Sequence, residues 1–194
     1  EEFIAQQPIS ETQTLWYESA DGLLSSILYF PKQSSVQKSP VIILTGPLFQ
    51  PQCTCTKDTP SIQELRDNGH DVYVLSHRGH QQSQSKRQLD YSFDGIVRED
   101  ISAAVRAIRA HSKYRSYHWI GQGLGGILCI IWIAQSGWSA LESLSLINTP
   151  TQFEPLRRSS RLSPLSSLLR PLSNSSIQAI FQIKLACAKH WKLS

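Results

Sequence analysis

Six consecutive residues, Gly121-Gln122-Gly123-Leu124-Gly125-Gly126, hold the densest chemical signal in this sequence. Gly121, Gly123 and Gly126 satisfy G-x-G-x-x-G, a loop whose bare backbone lets a pyrophosphate approach a helix N-terminus. That use needs an acid at the end of the next strand, roughly 20 residues on. The residue there is Asn148, and the cluster sits on a late strand rather than opening a βαβ unit. Gly121, Gly125 and Gly126 also fit G-x-S-x-G, in which a strand turns sharply into a helix and holds a nucleophile at the strained turn. We read the cluster in this second frame. Its nucleophile position is Gly123, which has no side chain.

Other reactive residue types give weaker patterns. Cys53-Thr54-Cys55 could offer two thiolates to a soft metal, with His70, His77 or His80 as further ligands. The spacing is one short of C-x-x-C and no second pair follows, so the segment reads as a surface loop and no metal is expected. Cys129 falls in an apolar helix and reads as a small core residue. Arg78-Gly79-His80 could form a phosphate-binding turn, but reads as structural. Trp119, Trp132 and Trp138 are expected in the core or at its rim.

The elements that would position these residues alternate in type. Leu15–Glu18 and Leu23–Phe30 flank Asp21-Gly22, a pair that favours a tight hairpin turn. Val41–Leu44 is a short apolar strand stopped by Gly46-Pro47. Thr59-Pro60-Ser61 starts a helix with proline at its first position, Ile62 and Leu65 give it an apolar face, and Gly69 ends it. Val72–Leu75 is the next strand, and Gln81–Gln88 is a polar loop. Ile101, Ala104, Val105 and Ile108 recur at helical spacing. Tyr117–Ile120 is a strand, and the helix from about Leu124 to Gln135 is apolar almost all round, so it should be buried. Leu144–Ile147 is the last strand, stopped by Asn148-Thr149-Pro150. A hairpin followed by βαβαβαβ implies an α/β fold, a mostly parallel sheet with helices on both faces.

Composition narrows the class. The chain has 194 residues, 40% of them hydrophobic, which excludes a disordered chain and suggests one domain plus an appendage. The longest apolar run, Ile127–Ala134, is eight residues, against the ~20 that span a bilayer. Four Cys are too few for a disulfide scaffold. No charged segment followed by an apolar stretch opens the sequence, so no signal peptide is expected, and with so few Cys the expected compartment is the cytoplasm. Charge is uneven. Residues 151–194 carry seven Lys/Arg and one acid, Glu154, whereas residues 1–150 are slightly acidic. Such a tail reads first as a solvated face. Binding of a membrane surface through it, with Trp191 at the interface, is only weakly suggested, and no nucleic acid partner is expected. Within the tail, Ser176–Trp191 can form a helix.

Taken in order, these motifs resemble the α/β-hydrolase superfamily, particularly its lipase- and esterase-like members. Thr45-Gly46-Pro47 follows the third strand where the family has His-Gly and an oxyanion loop. Ser76-His77-Arg78-Gly79-His80, followed by Ser83, is similar to the family's D-x-R-G-x-G-x-S run. Phe93–Ile108 is similar to the helix carrying F-D…D-x-x-A-A, and His118-Trp119-Ile120-Gly121 enters the elbow. The resemblance covers about residues 14–150, so 1–150 reads as the N-terminal part of a hydrolase domain and 151–194 as a tail, the possible start of a lid segment.

The resemblance implies a nucleophile, base, acid and oxyanion hole, and this chain departs at each. The nucleophile maps to Gly123, flanked by Gly121, Gln122 and Gly125. The base maps to no histidine after the elbow except His190, in the tail. The acid maps to neither Glu142 nor Glu154. The oxyanion donors map to the Leu124 N–H and to the loop Gly46-Pro47-Leu48, where Pro47 has no N–H and Leu48 could substitute by a register shift. Six strands stand where the family has eight, which would leave the sixth as an edge. With the short sheet and a tail that resembles the start of a lid segment, the chain is expected to lack its C-terminal strands, and the absence of a starting Met adds to that expectation. The reading is a protein of serine esterase or lipase ancestry, impaired or truncated, with no cofactor. Its expected partners are a small acyl ligand and a protein at the exposed sheet edge. The alternatives are an active acyl-ester hydrolase completed by residues beyond this chain, and a binding module that uses the basic tail.

Overall fold

The structure, a computed structural model, describes residues 12–46, 55–78, 80, 92–137 and 139–150. Six strands form one sheet in the order β1-β2-β4-β3-β5-β6. They are β1 (Gln13–Glu18), β2 (Leu24–Phe30), β3 (Lys38–Thr45), β4 (His70–Leu75), β5 (Tyr117–Gln122) and β6 (Leu141–Ile147). The strands β4, β3, β5 and β6 are parallel, and the hairpin β1–β2 joins them antiparallel at β4. The mostly parallel α/β sheet expected from the sequence is present.

Alternate strand residues feed two cores, as a sheet covered on both faces requires. On one face Val41, Ile43, Val72 and Val74 pack with Ile62 of α1 (Pro60–Asp67). On the other, Ile42, Leu44, Tyr73, Leu75 and Trp119 pack under two longer helical elements. One of these runs from α2 (Phe93–Gly95) through a π-helical turn (Ile96–Ile101) into α3 (Ser102–His111), and the other is α4 (Leu124–Ser136). Each begins or turns for a local reason. Thr59 precedes Pro60 at the start of α1, and the Ser92 hydroxyl accepts the Gly95 N–H at the start of α2. The predicted stripe Ile101, Ala104, Val105 and Ile108 is wholly buried. The wider π turn buries Ile96, Val97, Asp100 and Ile101 of its six residues, so an acid enters the core with the apolar stripe.

Three expectations need correction. The Asp-Gly pair does not make a two-residue hairpin. Gly22 donates to the Ser19 carbonyl and takes φ +86°, and Leu23 closes back onto Ser19, giving a longer loop with glycine at its left-handed position. β6 starts at Leu141 rather than Leu144, because Leu141, Ser143 and Leu144 pair with Tyr117, His118 and Trp119 although the segment is partly polar. Cys55 is buried against the α1 side of the sheet rather than sitting in a surface loop, while Cys53 and Thr54 lie outside the described residues. Cys129 is buried as expected, and Trp119 stacks on Trp132 with ring centroids 4.9 Å apart. The loop 81–88, Trp138 and the tail with its Ser176–Trp191 helix lie outside the described residues. Among the described residues β6 is a sheet edge, with Leu146 and Ile147 exposed. No helix among them is long and apolar enough to cross a membrane.

Candidate functional site

The carboxyl end of β5 passes into α4 through one residue, Gly123, at φ +58° and ψ −126°. Few side-chain-bearing residues adopt that backbone, which is the strained geometry of a sharp strand-to-helix turn. Its amide donates to the Ile147 carbonyl at the end of β6, 2.9 Å away, so the turn is pinned to the neighbouring strand. A one-residue junction suits the sharp-turn frame and leaves no run of loop backbone to wrap a pyrophosphate.

The flanking glycines let the helix meet the sheet. A Cβ on Gly121 would fall under 3.0 Å from Gly126, and one on Gly125 would fall as close to the Leu44 carbonyl. Close backbone approach therefore fixes the start of α4 over the ends of β3 and β5. The same approach sets Gly46, just past β3, beside Leu124: a Cβ there would lie 3.0 Å from the Leu124 Cβ and 3.4 Å from its nitrogen. The Leu124 amide opens α4, so it has no partner inside the helix and can donate to an incoming oxygen. Gln122 pairs across the sheet with Thr45 and Ile147 at this same end. Pro47 and Leu48, the remainder of the expected oxyanion loop, lie outside the described residues.

The end of β3 rests on a buried polar layer. His80 presents Nε2 to the Gly46 carbonyl at 3.3 Å, and its Nδ1 accepts the His77 backbone N–H at 3.1 Å. Nε2 is therefore the protonated nitrogen of a neutral ring. Burial and the nearby His77 push its pKa down to about 4. His77 faces the carbonyls of Arg78 at 2.7 Å and Thr45 at 3.2 Å, and burial holds its pKa below the usual range. Behind them the buried Arg78 guanidinium meets Asp100 at 2.6 Å and Asp21 at 2.9 Å, and Asp100 also accepts the Arg78 amide at 2.7 Å. Burial opposes the Arg78 charge, but the hydrogen bonds and charge of Asp100, then Asp21, outweigh it and keep the guanidinium protonated. The structural reading of the Arg78 segment is therefore the observed one.

Sequence reasoning missed this ion cluster because Asp21 lies in a turn and Asp100 in a helix, both far from Arg78 in the chain. The available signal was Asp100 itself, an acid on the same helical stripe as Val97, Ile101 and Ala104.

The remaining site candidates do not converge. Glu142 lies inside β6 at the amino end of the sheet, where its carboxylate meets His118 Nε2 at 3.2 Å and accepts the Ser39 and Ser116 hydroxyls. That is the opposite end from Gly123, so Glu142 is in no position to serve the turn. His190 and Glu154 lie outside the described residues. No group of His, Cys, Asp and Glu that could hold a metal occurs among the described residues.

A strained one-residue turn, a mostly parallel sheet in this strand order and a helix-opening amide beside the end of β3 together define a hydrolase-type α/β scaffold. The model of the alpha/beta hydrolase fold family matches residues 55–166, and the chain belongs to that family. Its structure is similar to an alpha/beta hydrolase from Novosphingobium aromaticivorans, at TM-score 0.60 and 20% identity over 76% of this chain and 47% of that one. An esterase from Pyrococcus furiosus matches at TM-score 0.57 and 18% identity, over 73% of this chain and 51% of that one. An esterase from a Rhodococcus species matches at TM-score 0.55 and 20% identity, over 73% of this chain and 47% of that one. The chain thus spans about half the length of the solved structures it matches. No curated protein matches it by sequence.

Proposed function

We propose that this chain carries the amino-terminal half of an esterase- or lipase-type hydrolase site that binds an acyl group without attacking it. The observation that carries the reading is Gly123 at the centre of the turn, with φ +58° and no side chain to act as a nucleophile. Gly121, Gln122 and Gly125 flank it, and the Leu124 N–H beside Gly46 is suited to hold the carbonyl oxygen of a small acyl ligand. In a Ser-His-Asp enzyme, loss of the serine costs on the order of a million-fold in kcat, so the chain is catalytically impaired on this reading.

The test is hydrolysis of p-nitrophenyl butyrate together with labelling by a fluorophosphonate, on the chain and on Gly123→Ser. The chain itself is expected at the buffer rate and unlabelled. Hydrolysis blocked by the fluorophosphonate in the unsubstituted chain would overturn the impaired reading and favour an active acyl-ester hydrolase with another nucleophile.

A second reading rests on β6. Its outer edge is unpaired among the described residues and exposes Leu146 and Ile147, which suits a protein partner that adds a strand.

A further inference from the structure

At the amino end of the sheet, away from Gly123, a cavity of about 610 Å³ opens between the end of α3, the turn into β5 and the turn into β6. Arg109, Lys113 and Arg115 line it, with the hydroxyl-bearing Ser112, Tyr114 and Ser139. No acid lines it, and among the described residues none of the three cations forms an ion pair. Glu142, two residues past Ala140 of the cavity wall, is already committed to His118, Ser39 and Ser116. Arg109 lies in the last turn of α3, where a cation suits the helix carbonyls. That does not account for Lys113 and Arg115, which lie beyond the helix.

The backbone that carries these side chains is held by hydrogen bonds. The Ser112 amide donates to the Ile108 carbonyl at 2.7 Å, the Tyr117 hydroxyl to the Tyr114 carbonyl at 2.8 Å, and the Tyr117 amide to the Ala140 carbonyl at 2.9 Å. The Ser112 Oγ is buried with no hydrogen-bond partner among the described residues.

From these observations we propose that this cavity is a binding site for an organic phosphate, separate from the hydrolase-type turn. Two guanidinium forks and an ammonium recognise phosphate oxygens, with the Arg pairs bidentate. The exposed Ser139 hydroxyl supplies a neutral donor. The volume exceeds what one inorganic phosphate fills and lies in the range that takes a small organic molecule. The phosphate could arrive on a soluble molecule or on a lipid headgroup, and the recognising groups are the same.

The test titrates the full chain with inositol trisphosphate by calorimetry. In parallel it is floated with phosphatidylcholine vesicles with and without phosphatidylinositol bisphosphate. Saturable binding to either probe is expected, weakened about tenfold or more in the double variant Arg109→Gln/Arg115→Gln. Arg106→Gln, an exposed α3 residue outside the cavity, should bind as the parent chain does. Binding to the soluble probe assigns a free ligand, and binding to the bisphosphate vesicles alone assigns a headgroup. Absence of binding to both probes overturns the proposal. So does binding that the double variant leaves unchanged, or that Arg106→Gln weakens equally, since either result places the attraction in general surface charge.

Discussion

The elbow at Gly123 and the ion cluster around Arg78 sit at the same end of one sheet, and they are built from opposite materials. At the elbow, contact is made by backbone: Gly121 against Gly126, Gly125 against Leu44, Gly123 hydrogen-bonded to Ile147. At the cluster, contact is made by charge: Arg78, Asp100 and Asp21, with His77 and His80 between them and the end of β3. The first has the geometry of a reaction centre and no reactive side chain. The second has titratable side chains in abundance, and they are engaged with one another or with backbone. The lesson is that the shape of this end of the sheet is held by close backbone contact and buried charge, neither of which depends on what side chain stands at position 123.

Breaking the cluster should have the largest effect. Asp100→Ala leaves a buried guanidinium with Asp21 as its one remaining carboxylate. Removing one partner of a buried pair costs about 3–5 kcal/mol. Urea unfolding followed by far-UV circular dichroism should show this loss. A loss under about 1 kcal/mol, the worth of an exposed pair, would mean that the cluster is not what holds this end of the sheet.

The histidine layer gives the next effect, and it depends on pH. The folded pKa of His80 is pushed down to about 4, while the unfolded chain titrates near the ordinary ~6.5. Between these values the unfolded state binds more protons. Stability is therefore full above about pH 6.5, falls as the pH drops towards about 4, and levels off below that. The His80 contribution is on the order of 3 kcal/mol, and His77 shifts in the same direction. His80→Gln keeps a donor for the Gly46 carbonyl and cannot titrate. Unfolding free energies measured from about pH 7 to about pH 4 should fall less steeply in this variant. Parallel profiles for the two proteins would remove His80 from the account.

How much of this was legible in the sequence follows from how local each feature is. The strands and helices carry their own apolar periods, so the parallel sheet and its helical layers could be read directly. Strand ends could not, because the first residues of β6, Leu141 to Ser143, earn their pairing from β5 rather than from their own character. The turn at Gly123 was visible because four glycines crowd six consecutive residues. The cluster was not, since Asp21, Arg78 and Asp100 come from three separate elements and only the fold brings them together. The cavity at Arg109, Lys113 and Arg115 failed to register for the opposite reason. Its cations are close in sequence, but exposed cations near a helix end look like any solvated surface until Ser139, from another loop, is seen to complete the wall.

The remaining effects lie within the elbow, where two glycines should separate by cause and the milder is the smallest effect of all. Gly125→Ala places a Cβ against the Leu44 backbone carbonyl, which cannot swing aside as a side chain would. Its cost should reach the upper end of ordinary overpacking, about 3 kcal/mol. Gly123→Ala meets a conformational penalty instead, because φ +58° disfavours any side chain, and about 1–2 kcal/mol is expected. Thermal unfolding of the two variants side by side measures the difference. If Gly123→Ala is the milder, the turn still accepts a side chain where a nucleophile would stand, and its close-packed neighbours are what hold the shape. If the two are equal, or their order reverses, the turn has been repacked around glycine. The proposal that this turn keeps the shape of a hydrolase site without its nucleophile would then fail, because the shape too would have changed.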